Sequence, residues 1–160
     1  MKNRILIALD DSKSAWMAVE YVAEIFNNAQ AVEVTLFHVL PGLPTGLWNP
    51  GHILTEEEEK LTRRLTDKWE EEKKKEWEDL FGKAQKLLLS AGIPARMITR
   101  KFRPDYSNVA QEIIDEAQEG GYSTLIMGRR GHGSVKSAIL GSVADNVLHH
   151  AQGFVVMIVG

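Results

Sequence analysis

The chain has 160 residues, of which 44% are hydrophobic and 26% are charged, and it contains no cysteine. These values are typical of one soluble globular domain, and they exclude disulfides, thiolate catalysis and cysteine-based zinc sites. The 19 basic and 22 acidic side chains give a net charge of −3, whereas surfaces that bind nucleic acid are usually basic. We therefore expect no nucleic-acid partner.

The apolar segments are too short for a signal sequence or a membrane span. The N-terminal run at residues 5–9 is interrupted by Asp10, although a signal peptide needs about seven apolar residues. The longest other apolar run, residues 154–159, is far shorter than the roughly 18 residues of a membrane helix. The sequence therefore predicts a cytoplasmic protein with no membrane partner.

Hydrophobic periodicity predicts five strands that alternate with helical regions. The strands are predicted at residues 5–9, 31–40, 94–101, 123–127 and 154–159. Helices are predicted at residues 13–26, with Asp11 or Ser12 as N-cap, and at residues 142–151. A third helix is predicted to begin at Pro104 or Asp105 and to extend through Ala117. Residues 55–90 are predicted to form one long helix or two. Residues 41–54 are predicted to form an irregular loop.

This alternation predicts one α/β domain over residues 1–160, with a mostly parallel sheet and helices on both faces. Ligands of such sheets bind beyond the carboxyl ends of the strands, at the point where the strand order reverses. We therefore expect the functional site at the ends of the first and fourth strands.

The acidity of the chain is concentrated in the long helical region. Residues 56–79 hold 11 acidic and 7 basic side chains, a net of −4, so the remaining residues sum to +1. Such a charge run is most often a solvated helix face with pairs four residues apart. We therefore rank this interpretation above a binding role for the helix.

A glycine-rich segment after the fourth strand, residues 128–142, has the composition of a phosphate-binding loop. Glycines allow backbone N–H groups to approach an anion, and Ser142 begins a helix whose first amides point to the same place. The segment contains Arg129, Arg130 and Lys136 and no acidic residue, so its charge favours a polyanion. Long cationic side chains on a loop can point anywhere, so we expect these three to face solvent.

Two common phosphate-binding motifs do not fit this segment. Gly128 and Gly133 have the spacing of a P-loop, but Ser134-Val135 stands where Lys and then Ser or Thr are required. Gly131-His132-Gly133 begins a dinucleotide fingerprint, but Lys136 occupies the position of its third small residue. The sequence therefore supports neither Walker-type ATPase chemistry nor NAD binding.

The remaining pattern, Gly128-x2-Gly131-x9-Gly141-Ser142, closely resembles the nucleotide-binding signature of the universal stress protein family. Four segments of the chain carry the resemblance, and they read ILIALDDS (5–12), LFHV (36–39), LIMGRRGHG (125–133) and LGSVADNVL (140–148). Together with the order of elements, they extend the resemblance over essentially the whole chain, most weakly between residues 41 and 80.

The resemblance implies a five-stranded parallel sheet in the order 3-2-1-4-5, ATP binding and a homodimer formed through the last strand, residues 153–159. It places Asp10 at the adenosine end of the nucleotide, with Val39 and Met127 on either side of the base. The ribose and phosphates are then surrounded by Gly128, Gly131, Gly141, Ser142 and Val143. Mg²⁺ or Mn²⁺ could accompany the phosphates through water.

Several of these residues also have purely structural interpretations. The role of Asp10 could be limited to capping the first helix, and Ser142 could be an N-cap that binds no ligand. Gly128 could simply end a strand. His38 is expected to be a hydrogen-bonded core histidine, and Trp77 a packing residue. His132, and the adjacent pair His149 and His150, lack the partners or spacing of a catalytic or metal site.

Three functions agree with this pattern. The first is a regulatory ATP-binding dimer in the stress response with slow or no hydrolysis, because the loop lacks the acids that hold a metal for phosphoryl transfer. The second is a slow ATPase or a self-phosphorylating protein with Ser134, Ser137 or Ser142 as acceptor. The third is an interaction module that binds no nucleotide and acts through its long acidic helix.

Overall fold

Five strands and four α-helices alternate along the computed structural model, which describes residues 3–40, 54–104, 108–131 and 139–160. The strands are β1 (Asn3–Ala8), β2 (Val32–Leu40), β3 (Ile98–Pro104), β4 (Thr124–Gly128) and β5 (Val155–Val159). The helices are α1 (Lys13–Ile25), α2 (Glu56–Ser90), α3 (Val109–Glu119) and α4 (Ser142–His150). Most of the predicted loop at residues 41–54 lies outside the described residues.

All the strand pairs are parallel, and the strand order is β3-β2-β1-β4-β5. The central strand β1 pairs with β2 on one side and β4 on the other, so that Ile7 lies between Leu36 and Ile126. This confirms the predicted α/β class and strand order. The order reverses between β1 and β4, where a ligand of an open α/β sheet usually binds.

Helices cover both faces of the sheet, as predicted. Ile5 and Ile7 of β1 belong to a core cluster with buried side chains of α1 and α2, whereas Leu6 belongs to a second cluster with residues of α3 and α4. Since successive side chains of a strand point to opposite faces, β1 contributes to both cores. This explains why its sequence is apolar without alternation.

Helix α2 is one continuous helix of 35 residues. It begins at a capping box, in which Glu58 donates its backbone N–H to the Thr55 hydroxyl and accepts the Thr55 N–H with its side chain. Its buried residues, Phe81, Ala84 and Leu88, all lie in its last third. The charged N-terminal part of α2 therefore contributes no buried side chain to the core.

The prediction is wrong at both ends of the third strand. Residues Ala95–Met97 form a 3-10 turn instead of a strand, since the Met97 N–H binds the Pro94 carbonyl at 2.8 Å. Pro104 ends β3 instead of beginning α3, which an edge strand tolerates because a proline there need not donate to a ladder. Helix α3 begins after Asn108, whose side chain accepts the Gln111 N–H at 2.7 Å.

The start of α4 also differs from the expected cap. Gly141 is the N-cap residue and has no side chain with which to cap the helix, so Ser142 is the first helical residue and not the N-cap. The first turn closes through the Asp145 N–H, which donates to the Gly141 carbonyl at 2.9 Å. In the described parts of the chain, no helix is long and apolar enough to cross a membrane.

Candidate functional site

A cavity of about 520 Å³ opens at the carboxyl edge of the sheet, beside the reversal of strand order. Its walls come from the ends of β1, β2 and β4 and from all four helices. The lining residues are Ala8, Leu9, Asp10, Asp11, Ser12, Ala15, Phe37, His38, Val39, Trp77, Val109, Ile113, Met127, Gly128, Arg130, Gly131, Val143 and Ala144. A mostly apolar cleft with a few polar groups is the usual form of a small-molecule site.

Asp10 lies directly after β1, at the point where the chain turns into α1. One oxygen of its carboxylate accepts the Ser12 N–H at 2.9 Å, and the Ser12 hydroxyl in turn accepts the Ala15 N–H at 3.1 Å. Of the two predicted N-cap candidates, Asp11 and Ser12, it is therefore Ser12 that caps α1. Asp10 fixes the turn before the helix. Both the structural and the ligand-binding interpretation of Asp10 agree with this geometry.

The glycines of the signature lie in close contact with other parts of the protein. A Cβ atom on Gly128 would lie 2.5 Å from the Ala15 nitrogen, so only glycine lets the start of α1 cross the end of β4. A Cβ atom on Gly131 would lie 2.8 Å from a carboxylate oxygen of Asp10. The contact with α1 therefore requires glycine at position 128, which the sequence alone did not reveal. Gly131 leaves space beside Asp10, a candidate ligand-binding group.

Ser14 ties the first turn of α1 to the loop after β4. Its hydroxyl donates to the Arg130 carbonyl and accepts the Arg130 N–H at 3.2 Å. The loop is also fixed from the other side, since the Arg129 carbonyl accepts the Gly141 N–H at 2.9 Å. These bonds hold the described ends of the glycine-rich segment, Arg129 to Gly131 and Gly141, at the mouth of the cavity.

His38 also lines the cavity, and it lies near the end of β2. Its Nδ1 atom is 2.7 Å from the Leu9 carbonyl, and its ring lies 3.7 Å from that of Trp77, centroid to centroid. Only 8% of His38 is exposed, and this burial lowers the pKa of its imidazole. The hydrogen bond to Leu9 and the charges of Asp10 and Asp11 act in the opposite direction, but their effect is smaller. The imidazole is therefore neutral near pH 7.

The expectation of a fully hydrogen-bonded core histidine is wrong for one atom of His38. Its Nε2 atom is buried and has no hydrogen-bond partner among the described residues. Trp77 packs against the core as expected, but it also lines the cavity. Sequence reasoning missed this because residues 39 positions apart meet only through the packing of α2 on β2.

Six of the eight residues predicted for the nucleotide site line the cavity. They are Asp10, Val39, Met127, Gly128, Gly131 and Val143. Gly141 is buried and Ser142 exposed at the start of α4, and neither belongs to the lining. His132, Ser134, Lys136 and Ser137 lie outside the described residues.

Sequence reasoning also missed the contribution of α3. Val109 and Ile113, four residues apart on one face of α3, both line the cavity. Their helical spacing was the available signal, but it indicated only a core face. The parts of the chain that the structure describes contain no cluster of three or more His, Asp or Glu residues placed to bind a metal.

Comparison with known proteins agrees with this architecture. The profile of the Universal stress protein family matches residues 1–159. Universal stress protein MJ0577 of Methanocaldococcus jannaschii is 29% identical over 161 residues, which cover 92% of this chain and 89% of that protein. Universal stress protein YxiE of Bacillus subtilis is 27% identical over 154 residues, with 92% of each chain covered.

Solved structures have the same fold. The structure of MJ0577 matches with a TM-score of 0.71 at 26% identity and covers 99% of this chain and 96% of that one. A universal stress protein family protein from Arabidopsis thaliana with AMP bound matches with a TM-score of 0.63 at 16% identity, over 98% of this chain and 90% of that one. The chain is therefore an α/β protein with an open cleft at the carboxyl edge of its parallel sheet. The chain belongs to the universal stress protein family.

Proposed function

We propose that this chain, as one universal stress protein domain over residues 1–160, is a cytoplasmic regulatory protein of the stress response that binds ATP. The observation that carries the proposal is the cavity at the switch point, which brings Asp10, Val39, Met127 and Gly131 together from three strand ends. The AMP bound in the Arabidopsis protein of the same fold supports an adenine nucleotide as the ligand class.

The walls of the cavity suit the two ends of a nucleotide differently. Val39 and Met127, from the ends of β2 and β4, offer apolar surfaces that would flank a purine base. Asp10 offers a carboxylate that would accept hydrogen bonds from the adenosine. The adenosine would therefore lie against the strand ends.

The phosphates would extend towards Gly128, Gly131 and the start of α4. The first backbone N–H groups of a helix have no intrahelical partner, and the N-cap of α4 is a glycine without a side chain to bind them, so the amides of Ser142 and Val143 would be available for an anion. The absence of a Cβ on Gly131 leaves room beside Asp10. Mg²⁺ or Mn²⁺ would accompany the phosphates through water and not through a dedicated cluster of protein ligands.

Calorimetric titration of the purified protein with ATP tests the proposal. The discriminating variant is Gly131→Ala, whose Cβ would occupy the space beside the Asp10 carboxylate, and we expect it to weaken ATP binding at least tenfold. Gly82→Ala in α2 is the matched control, since its Cβ would lie 3.9 Å from Nη2 of Arg100, an ordinary contact distance, and Gly82 does not line the cavity. Wild-type protein that binds no ATP at millimolar concentration would contradict the proposal.

The same samples test whether ATP is only bound. Intact ATP recovered after prolonged incubation supports a regulatory role, whereas released phosphate or phosphorylated protein supports the slow ATPase or self-phosphorylating alternative. The described residues hold no cluster of three or more His, Asp or Glu side chains that could bind the metal of phosphoryl transfer. We therefore expect the ATP to remain intact.

A homodimer through residues 153–159 is the second part of the proposal. β5 is an edge strand of entirely apolar sequence, and Val155 is 58% exposed. An apolar edge with unpaired backbone groups favours pairing with another strand, here that of a second copy. Light scattering should give twice the mass of one chain, and Val155→Lys should shift the protein towards the monomer. A wild-type monomer at all concentrations would contradict this part.

A further inference from the structure

We propose that the charged N-terminal part of α2 is a self-association surface, through which two copies of this chain pair as antiparallel helices. The surface is an exposed seam that consists of Leu54, Glu58, Leu61, Leu65, Lys68 and Glu72. The proposal is independent of the nucleotide site, and it concerns a different surface from the β5 edge.

The residues of the exposed seam recur at alternating intervals of four and three residues. This is the spacing of the a and d positions of a heptad, which places them along one side of a helix. At about 100° per residue, the seam lies roughly 150° around α2 from the buried side chains of Phe81, Ala84 and Leu88. The seam therefore faces away from the domain.

The fold leaves the whole seam accessible. All of its residues are exposed, including 58% of Leu61 and 41% of Leu65. By contrast, Thr66, Glu70 and Lys73 lie towards the side of the helix that packs on the domain, and they are partly covered. Two leucines one turn apart on a helix face would gain free energy if a partner removed them from water.

The seam is complementary to itself when two helices run antiparallel. If Leu61 of one copy lies opposite Leu65 of the other, the two-fold symmetry of the pair creates two leucine layers at its centre. The same register places Glu58 opposite Lys68 in the next layer on each side. Two apolar layers are therefore flanked by two layers of opposite charge.

Other arrangements of the same helices are less favourable. In a parallel pair in register, Glu58, Lys68 and Glu72 would each meet their own counterpart, and like charges would repel. An antiparallel register shifted by one heptad in either direction would place Leu61 opposite Glu58 or Glu72 and separate it from Leu65. The sequence of the seam therefore favours antiparallel pairing of two copies in a single register.

The pairing is short and therefore weak. The overlapping helices, from Glu56 to Glu72, span about 25 Å and end before Trp77, where α2 reaches the cavity. Beside the seam, Arg64 lies close to its own counterpart at the two-fold axis, which opposes association. We therefore expect reversible pairing that increases with protein concentration, in addition to any contact through β5.

Disulfide crosslinking tests the register directly, because the chain contains no cysteine of its own. In a mixture of Glu58→Cys and Lys68→Cys, the two thiols face each other in the proposed pair. In Glu58→Cys alone, the two thiols lie about 15 Å apart along the helices, which is too far for a disulfide. We expect crosslinked dimer to form roughly tenfold faster in the mixture than in either single variant.

Arg63→Cys is the matched control, since it lies on the opposite side of the helix from the seam and is exposed. Because Glu58 also caps α2, circular dichroism should verify the helix content of its variant. Crosslinking of the mixture no faster than that of Arg63→Cys would overturn the proposal. Faster crosslinking of Glu58→Cys alone than of the mixture would indicate parallel pairing and would also overturn it.

A charge exchange tests the same contact without cysteine. In Lys68→Glu, a second carboxylate would face Glu58 in both outer layers, and we expect the association constant from sedimentation to fall about tenfold. The double variant Glu58→Lys with Lys68→Glu should restore most of it, because opposite charges meet again. Lys74→Glu makes the same change of charge on an exposed position away from the seam, and it should have little effect.

The Val155→Lys background separates this surface from the β5 edge, because α2 pairing should persist there. Equal association constants for Lys68→Glu and Lys74→Glu in that background would overturn the proposal. Neither outcome bears on the ATP site, since no residue of the seam lines the cavity.

Discussion

The two ends of α2 have the same secondary structure but different relations to the rest of the molecule. Its last third buries Phe81, Ala84 and Leu88 in the core, and just before them Trp77 reaches the cavity. Its N-terminal part, Glu56 to Lys75, has no buried residue, and Leu61 is 58% exposed there. Helical periodicity therefore identifies a helix, but only packing decides which part of it contributes to stability and to the site.

The charges of the N-terminal part explain how it remains helical without a core. Arg63 and Glu59 pair at 3.3 Å, and Lys73 and Glu76 pair at 2.8 Å, each along the exposed surface of the helix. Such pairs contribute only a few tenths of a kcal/mol each. The predicted solvated helix face agrees with these contacts, and the following predictions test the contrast with the packed regions.

The largest expected effect is on the packed end of α2. Phe81 is fully buried, so Phe81→Ala should lower the free energy of unfolding by about 3–5 kcal/mol. The matched change Leu61→Ala on the exposed part should alter it by about 0.5 kcal/mol or less. Urea unfolding measures both, and comparable losses in the two variants would refute the contrast between the ends of α2.

A smaller effect is expected where β4 meets α1. Gly128→Ala would bring a methyl group within 2.5 Å of the Ala15 backbone nitrogen, and the helix must shift to accept it. We expect a loss of about 1–3 kcal/mol in unfolding free energy together with weaker ATP binding. Thermal unfolding and calorimetry of the same sample provide the check, and an unchanged melting temperature would show that the contact is not tight.

The Ser14 hydroxyl should contribute less again. Ser14→Ala removes both hydrogen bonds to the Arg130 backbone, so we expect about 1 kcal/mol of destabilisation. Since these bonds hold the loop at the cavity mouth, ATP affinity should fall more in this variant than in Leu61→Ala. Equal ATP affinity in both variants would show that Ser14 does not support the nucleotide site.

The smallest effect concerns pH. Burial holds the pKa of His38 below 6.5 in the folded state, so the unfolded chain binds this proton more readily. The contribution of the neutral imidazole to the free energy of unfolding is therefore fully present above pH 6.5, and it decreases as the pH falls below that value. Urea unfolding at pH 7.5 and 5.5 should show a larger loss for the wild type than for His38→Phe, and identical losses would contradict the buried neutral imidazole.

The fold was largely predictable from sequence, because strand and helix periodicity are local properties. The errors lie where local signals compete, since Pro104 can begin a helix but also can end an edge strand. Likewise, Ser142 is a good cap residue, yet Gly141 occupies that position.

The site was predictable only in part. The topology predicted a site at the strand ends, and the family resemblance assigned Asp10 and Met127 to it; both residues line the cavity. The pairing of His38 with Trp77 does not, because it depends on how α2 packs across β2. The packing role of Gly128 against α1 is hidden for the same reason. Contacts between distant elements leave no periodic pattern in a single sequence.

A crystal structure of the protein soaked in millimolar ATP tests the central claim most directly. We predict electron density for the nucleotide in the cavity, with the base between Val39 and Met127 and the phosphates near Gly131 and the start of α4. A cavity that stays empty, or that is filled by the protein's own side chains while calorimetry detects no ATP binding, would contradict the proposed nucleotide site.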